Sequence, residues 1–168
     1  MPEAVKSYVR WVDAVNQKVG LVAMYMIFVM MAILFYSSIS KSFFTPSLWT
    51  LEMAQFTMVA YYLLGGGYSL QHDNHVRMDL LYSRWSDRGK AWADAFSVLF
   101  LILFLGVLLY GAIDSTSYSF QYKERSPTAW RPYLWPIKVI MCVAIFLMLL
   151  QAISEFFKDI VKLRGETL

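Results

Sequence analysis

The sequence predicts an all-α integral membrane protein: four transmembrane helices, short amphipathic interfacial helices, and both termini in the cytoplasm. Composition is the first observation behind this reading. Of 168 residues, 58% are hydrophobic, 17% aromatic and only 16% charged, with a mean hydropathy of +0.47. A soluble domain carries charge on about a quarter of its residues, and leaving this much apolar surface in water would cost more than folding returns. The second observation is a set of four uncharged stretches: Val19–Ser40 with 22 residues, Met53–Gln71 with 19, Ala95–Ile113 with 19 and Val139–Ser154 with 16. The third is the distribution of Lys and Arg along the chain.

Taken in order, the first amphipathic piece covers about residues 4–17. Val5, Tyr8, Val9, Val12 and Val15 make an apolar stripe opposite Lys6, Arg10, Asp13 and Gln17, with Trp11 as an anchor. Such a segment fits a helix lying at the membrane surface or docked on a partner subunit, and the pattern alone does not separate the two. The span at about 19–40 is too long for a signal-peptide core and no small-residue cleavage site follows it, so it reads as a retained helix. Spans at about 49–71, 94–114 and 133–155 complete the set. Lys138 snorkels, which lets the last helix begin near Tyr133. At about 1.5 Å per residue each span crosses a hydrocarbon core of about 30 Å, and in lipid the backbone must bond within its own segment. A second interfacial piece at about 76–90 sets Met78, Leu81, Tyr82 and Trp85 against Arg77, Arg84 and Arg88. With no low-complexity segment, linker or repeat, residues 1–168 form one membrane domain.

Orientation follows from the cations. Lys6, Arg10 and Lys18, then Arg77, Arg84, Arg88 and Lys90, then Lys158, Lys162 and Arg164 fall on one side; Lys41, Lys123, Arg125 and Arg131 fall on the other, with Lys138 at its border. The excess marks the cytoplasmic side, and Tyr118, Tyr122, Trp130, Tyr133 and Trp135 belong to an outer aromatic belt.

Candidate chemistry is sparse. His72, His75 and Asp79 share a helix face at spacings that could ligate a metal, but they sit where the chain leaves the membrane and polar residues are needed in any case; the structural role is preferred and no metal is expected. Neither histidine is deep enough for a membrane haem. Cys142 stands alone, excluding a disulfide framework or a cysteine-based zinc site. Gly65, Gly66 and Gly67 have no preceding strand and no following Lys-Ser/Thr, so they do not cradle phosphate. Close helix packing is their expected role. Lys41, Glu52, Asp114 and Lys138 form an outer layer of charge in which Glu52 is expected to pair with Lys138 or Lys41. The midplane positions near Met30, Tyr61, Phe104 and Ile145 carry no charge, whereas ion-coupled transporters place ionisable residues or broken helices there. The chain reads as a helper and not a self-sufficient pump.

The stretch from Pro46 to Asp94 resembles the small membrane subunit, DctQ-like, of tripartite ATP-independent periplasmic (TRAP) transporters. Trp49 and Glu52 stand at the entry to helix two, a small-residue-rich helix follows, and His75, Val76, Met78 and Asp79 form the exit. Pro136 and Lys138, with the ending "LLQAISEFFKDI", resemble the subgroup labelled for mannitol or chloroaromatic compounds. The resemblance implies a bacterial inner-membrane, multi-pass subunit without enzyme activity, cofactor, metal, substrate site or nucleic-acid partner of its own. It implies a stable complex with a large elevator-type membrane subunit driven by sodium, a transient one with a periplasmic binding protein that captures organic acids, and contact with membrane lipids. Trp49, Glu52, Gly65, Gly66, Gly67, His75, Asp79 and Lys138 would then be structural or partner-facing, and Lys123, Arg125 and Arg131 would meet the binding protein. The alternatives are a small multidrug-type dimeric exporter, which needs an acidic residue in helix one where Tyr25–Tyr36 has none, and a membrane redox or haem anchor, which needs paired cysteines or deep histidines.

Overall fold

The computed structural model describes residues 3–72 and 87–164. They form four helices: α1 Glu3–Phe43, α2 Thr50–Gln71, α3 Asp87–Gln121 and α4 Trp135–Arg164. His75, Asp79 and the expected interfacial segment 76–90 up to Ser86 lie outside the described residues. Three helices, α1, α3 and α4, are long and apolar enough to cross a membrane. Helix α2 has the length, 22 residues, but Glu52, Gln55, the glycine triplet and Gln71 dilute its apolar character.

Helix α1 runs unbroken for 41 residues, about 60 Å at 1.5 Å per residue. The segment expected as a separate interfacial helix is therefore continuous with the span that follows it. No Gly or Pro lies at the junction to break the ladder, apart from Gly20, which packs inward. The apolar stripe of this first part is turned into the protein, with Val9 and Val12 buried. The helix stops before Pro46, whose preceding residue is disfavoured in the helical region. Ser40 caps the end, its Oγ donating to the Thr45 carbonyl at 2.9 Å. Wholly buried Thr50 then anchors the start of α2, with its hydroxyl 3.0 Å from Ser37 Oγ on α1 and 3.0 Å from Ser47 Oγ. Trp49 stacks on Tyr36, ring centroids 5.7 Å apart.

The helices pack as a chain of neighbours, α1 on α2, α2 on α4 and α4 on α3, with α1 also reaching α4 at one end. Among the described residues α1 and α3 do not pack on one another to close a four-helix ring. The apolar core lies between α3 and α4, where Leu105 packs with Ile145 and Ala152, flanked by Leu101, Leu109 and Met148. These positions recur at three- and four-residue steps, the spacing that keeps one helix stripe facing its neighbour. Helix α4 is central, with 33% of its most apolar stretch buried, against 11% for α1 and 6% for α3. Phe28, Phe35, Leu103, Phe104 and Val107 point away from the protein. Apolar surface of this extent marks a lipid or protein contact.

Glycine makes the close approaches possible. A Cβ at Gly20 would lie 2.5 Å from the Tyr68 ring, and one at Gly66 would lie 2.7 Å from Met148 Sδ; a Cβ at Gly65 would meet nothing within 4 Å. Gly20→Ala should therefore push α1 off α2 and destabilise the chain by about 1–3 kcal/mol. Gly65→Ala should leave the isolated chain unchanged or slightly more stable. Thermal unfolding of the two variants in mild detergent checks this; equal effects would contradict it.

Candidate functional site: a buried polar clamp and an open apolar surface

Where α1 crosses α4, the contact is polar and buried. Asn16 is 1% exposed and Gln151 0%. The Gln151 amide nitrogen donates to Asp13 Oδ1 and to Glu155 Oε1, each at 2.9 Å. Those two acceptors use both of its protons and fix which way the amide points. Gln151 Oε1 is thereby presented to Asn16, whose Nδ2 donates to it at 2.8 Å and to the Val12 carbonyl at 3.2 Å. Lys158 lies between the two carboxylates, 2.9 Å from Asp13 Oδ2 and 2.8 Å from Glu155 Oε1. Tyr8 adds a bond from its hydroxyl to the Leu150 carbonyl at 3.2 Å and packs edge-on against Phe157. Side chains some 135 positions apart in sequence are thus joined through one amide pair.

Helix α2 closes the third side. A Cβ at Gly67 would lie 2.5 Å from Asn16 Oδ1, so only glycine lets α2 pass this close. Asn16 Oδ1 itself has no hydrogen-bond partner among the described residues. The glycine triplet therefore divides its work: Gly66 faces α4, Gly67 faces the clamp, and Gly65 lines an open apolar recess of about 260 Å³ with Gly20, Ala23, Met24, Tyr61 and Tyr68.

The opposite ends of α3 and α4 carry a second polar group. Lys138 Nζ lies 2.7 Å from Glu124 Oε2 and 3.4 Å from the Ser115 carbonyl. Buried Ser119 donates its hydroxyl to the same Glu124 carboxylate. Lys138 and Ser119 together hold the Glu124 carboxyl below its usual range, because both interactions favour the ionised form. The loop between the helices is folded back on itself: Ser126 N–H bonds the Pro132 carbonyl at 2.9 Å and Leu134 N–H bonds the Glu124 carbonyl at 3.1 Å. The Arg125 guanidinium lies 4.3 Å above the Tyr133 ring. Lys123 and Arg131 take positive φ values of 49° and 52°. Lys123, Arg125 and Arg131 are all exposed.

Lys138 is thus committed to Glu124, which corrects the expected pairing with Glu52. Glu52 is 5% exposed, and neither of its carboxylate oxygens has a partner among the described residues, Lys41 included. The pairing failed because Lys138 leans toward the α3 end and its loop, not toward α2. Trp49 stands at the start of α2 on Tyr36. His72, at the end of α2, donates its Nδ1–H to the Tyr68 carbonyl at 3.1 Å and lies against the Tyr68 ring; its expected companions His75 and Asp79 lie outside the described residues. Among the described residues no group of three His, Cys, Asp or Glu side chains could hold a metal ion.

Sequence reasoning passed over Asn16, Gln151 and Gly20. The signals were present: a glutamine inside the apolar run "MLLQAIS", and Asp13 and Asn16 at a helical i, i+3 spacing. Removing one amide leaves its partner buried and unpaired, at a cost of about 1–3 kcal/mol. Asn16→Leu and Gln151→Leu should therefore each destabilise the chain, while the double variant loses less than the sum of the two. The coupling expected in a double-mutant cycle of thermal unfolding is on the order of 0.5–2 kcal/mol. Strict additivity would show that the amide pair contributes nothing.

The clamp ties α1 to α4, and the broad apolar faces beside it call for a membrane environment. Comparison with known proteins agrees. No curated protein matches the chain significantly. Residues 30–162 match the family described as the tripartite ATP-independent periplasmic transporters, DctQ component. That match spans α2, α3, nearly all of α4 and the last third of α1, and the chain belongs to this family of transporter components.

Proposed function

We propose that this chain is the small permease subunit of a sodium-driven TRAP transporter that imports organic acids. In this reading it scaffolds the large elevator-type membrane subunit and helps dock the periplasmic binding protein. The observation that carries the reading is the open row of helices: α1 and α3 leave most of their apolar surface uncovered, which a membrane partner and lipid together would bury. The spans also carry no charged residue near Met30, Tyr61, Phe104 and Ile145, consistent with substrate and sodium sites on the other membrane chain.

The topology that goes with it has four spans, α2 included, with both termini in the cytoplasm of a bacterial inner membrane. The polar clamp then lies at the cytoplasmic end and the Glu124–Lys138 loop at the periplasmic end. Lys123, Arg125 and Arg131 are exposed on that loop and suit an acidic patch on the binding protein. Trp49, Glu52, Gly65, His75 and Asp79 are assigned to structural or partner contacts. The resemblance to the mannitol or chloroaromatic subgroup leaves the transported acid open, since its site lies elsewhere.

Mild-detergent purification of the tagged chain from its native membrane, with mass spectrometry of the proteins retained, tests this. A many-helix membrane partner at about one-to-one stoichiometry is expected. A chain that purifies alone, or only as its own dimer, would contradict the scaffold role and favour the exporter alternative.

A further inference from the structure

The outward face of α1 below its apolar stretch is built from hydrogen-bond donors. Ala14 is exposed, and its neighbours one turn away on either side are Arg10, Trp11, Gln17 and Lys18, the i−4, i−3, i+3 and i+4 positions that share its face. All four are exposed as well, with Trp11 at 61%. Two of these side chains are cations, one carries an amide, and one carries an indole N–H. The small Ala14 leaves a shelf between them. Side chains lean toward the helix N-terminus, so Lys18, one turn on from Ala14, shares this part of the face. Arg10 lies back along the helix, its Nε 3.4 Å from the Lys6 carbonyl, at the outer edge of the group.

Among the described residues no carboxylate is paired with this group. Asp13, the adjacent carboxylate, is turned inward and held by Lys158 and Gln151. Directly above the shelf the same face becomes wholly apolar. Trp11 and Lys18 continue at helical spacing into exposed Val22, Tyr25 and Val29, and Arg10 and Gln17 continue into exposed Leu21 and Phe28.

We infer that this face binds an anionic phospholipid, its phosphate beside Trp11 and Lys18 at the Ala14 shelf, with Arg10 supplying positive charge at the edge of the headgroup, and its acyl chains along the Val22–Val29 stripe. Charge complementarity selects the anion, and the apolar stripe rising from the shelf selects a lipid over free phosphate. Cationic side chains at a membrane surface favour anionic lipid, and tryptophan prefers the same depth. The inference rests on the proposed crossing of the membrane by α1.

Native mass spectrometry of the full chain in mild detergent, titrated with dioleoylphosphatidylglycerol or dioleoylphosphatidylcholine, tests it. The glycerol lipid should be retained roughly tenfold more strongly. Arg10→Gln combined with Lys18→Gln should remove that preference without moving the melting temperature, since both side chains are exposed. Lys123→Gln combined with Arg131→Gln, the same change of charge at the other end, should leave it intact. Equal retention of the two lipids, or an equal loss in the control variant, would overturn the inference. So would an Arg10/Lys18 variant that keeps its lipid but sheds a membrane protein partner, because the face would then be a protein contact. Alkaline extraction of the membranes separates the two levels: a chain that stays integral but shows no lipid preference sinks this inference alone, whereas a chain washed off sinks the membrane crossing as well.

Discussion

The amide pair of Asn16 and Gln151 is the contact on which the arrangement of the four helices depends. Helix α1 leans on α2 for much of its length, but at this one place it is tied to α4 by directed bonds. Apolar packing between helices discriminates little between neighbouring registers in lipid, because lipid tails offer similar contacts. A buried amide pair does discriminate, since a shift in register leaves donors and acceptors unpaired. Asp13, Glu155 and Lys158 orient Gln151, Gln151 orients Asn16, and Gly67 makes room for α2 beside both. Each link needs the one before it.

The clamp also explains how an open arrangement holds together. With no packing of α1 on α3 among the described residues, the ring of mutual packing that stabilises a four-helix bundle is missing there. The molecule relies on α4, which meets every other helix, and on two polar ties at opposite ends. One joins α1 to α4. The other joins α3 to α4 through Lys138, Glu124 and Ser119. Between them the apolar core of Leu105, Ile145 and Ala152 is modest, so much of the apolar surface is left for lipid and for a partner. Helices braced at their two ends in this way leave broad apolar faces uncovered.

Much of the helical framework is legible in the sequence, because uncharged runs and the lipid solvent leave the backbone few choices. The ends of α1 and α2 follow from Pro46 and from the polar residues around it. What periodicity could not show is where surfaces meet. The stripe of Val9 and Val12 reads equally as membrane-seeking or protein-seeking, and only the position of α4 decides that it is buried. Asn16 and Gln151 look like isolated polar residues because their relation is long-range. The outer charges summed to zero in the sequence, which suggested a Glu52–Lys138 pair, but Glu124 arrives at Lys138 through the fold of the loop and Glu52 does not. The glycine triplet reads as one feature and is three, since helical rotation sends Gly65, Gly66 and Gly67 to different surroundings.

The open row is the claim most directly open to measurement. Spin labels at Phe28 on α1 and Phe104 on α3, both exposed and both well within their helices, would report the separation of the two outer helices in a lipid nanodisc. With packed helix axes about 8–10 Å apart, a row that interposes α2 and α4 should give a distance of about 20 Å or more. A separation near a single helix spacing would mean that α1 and α3 close a ring, and the open arrangement held by its end clamps would have to be abandoned.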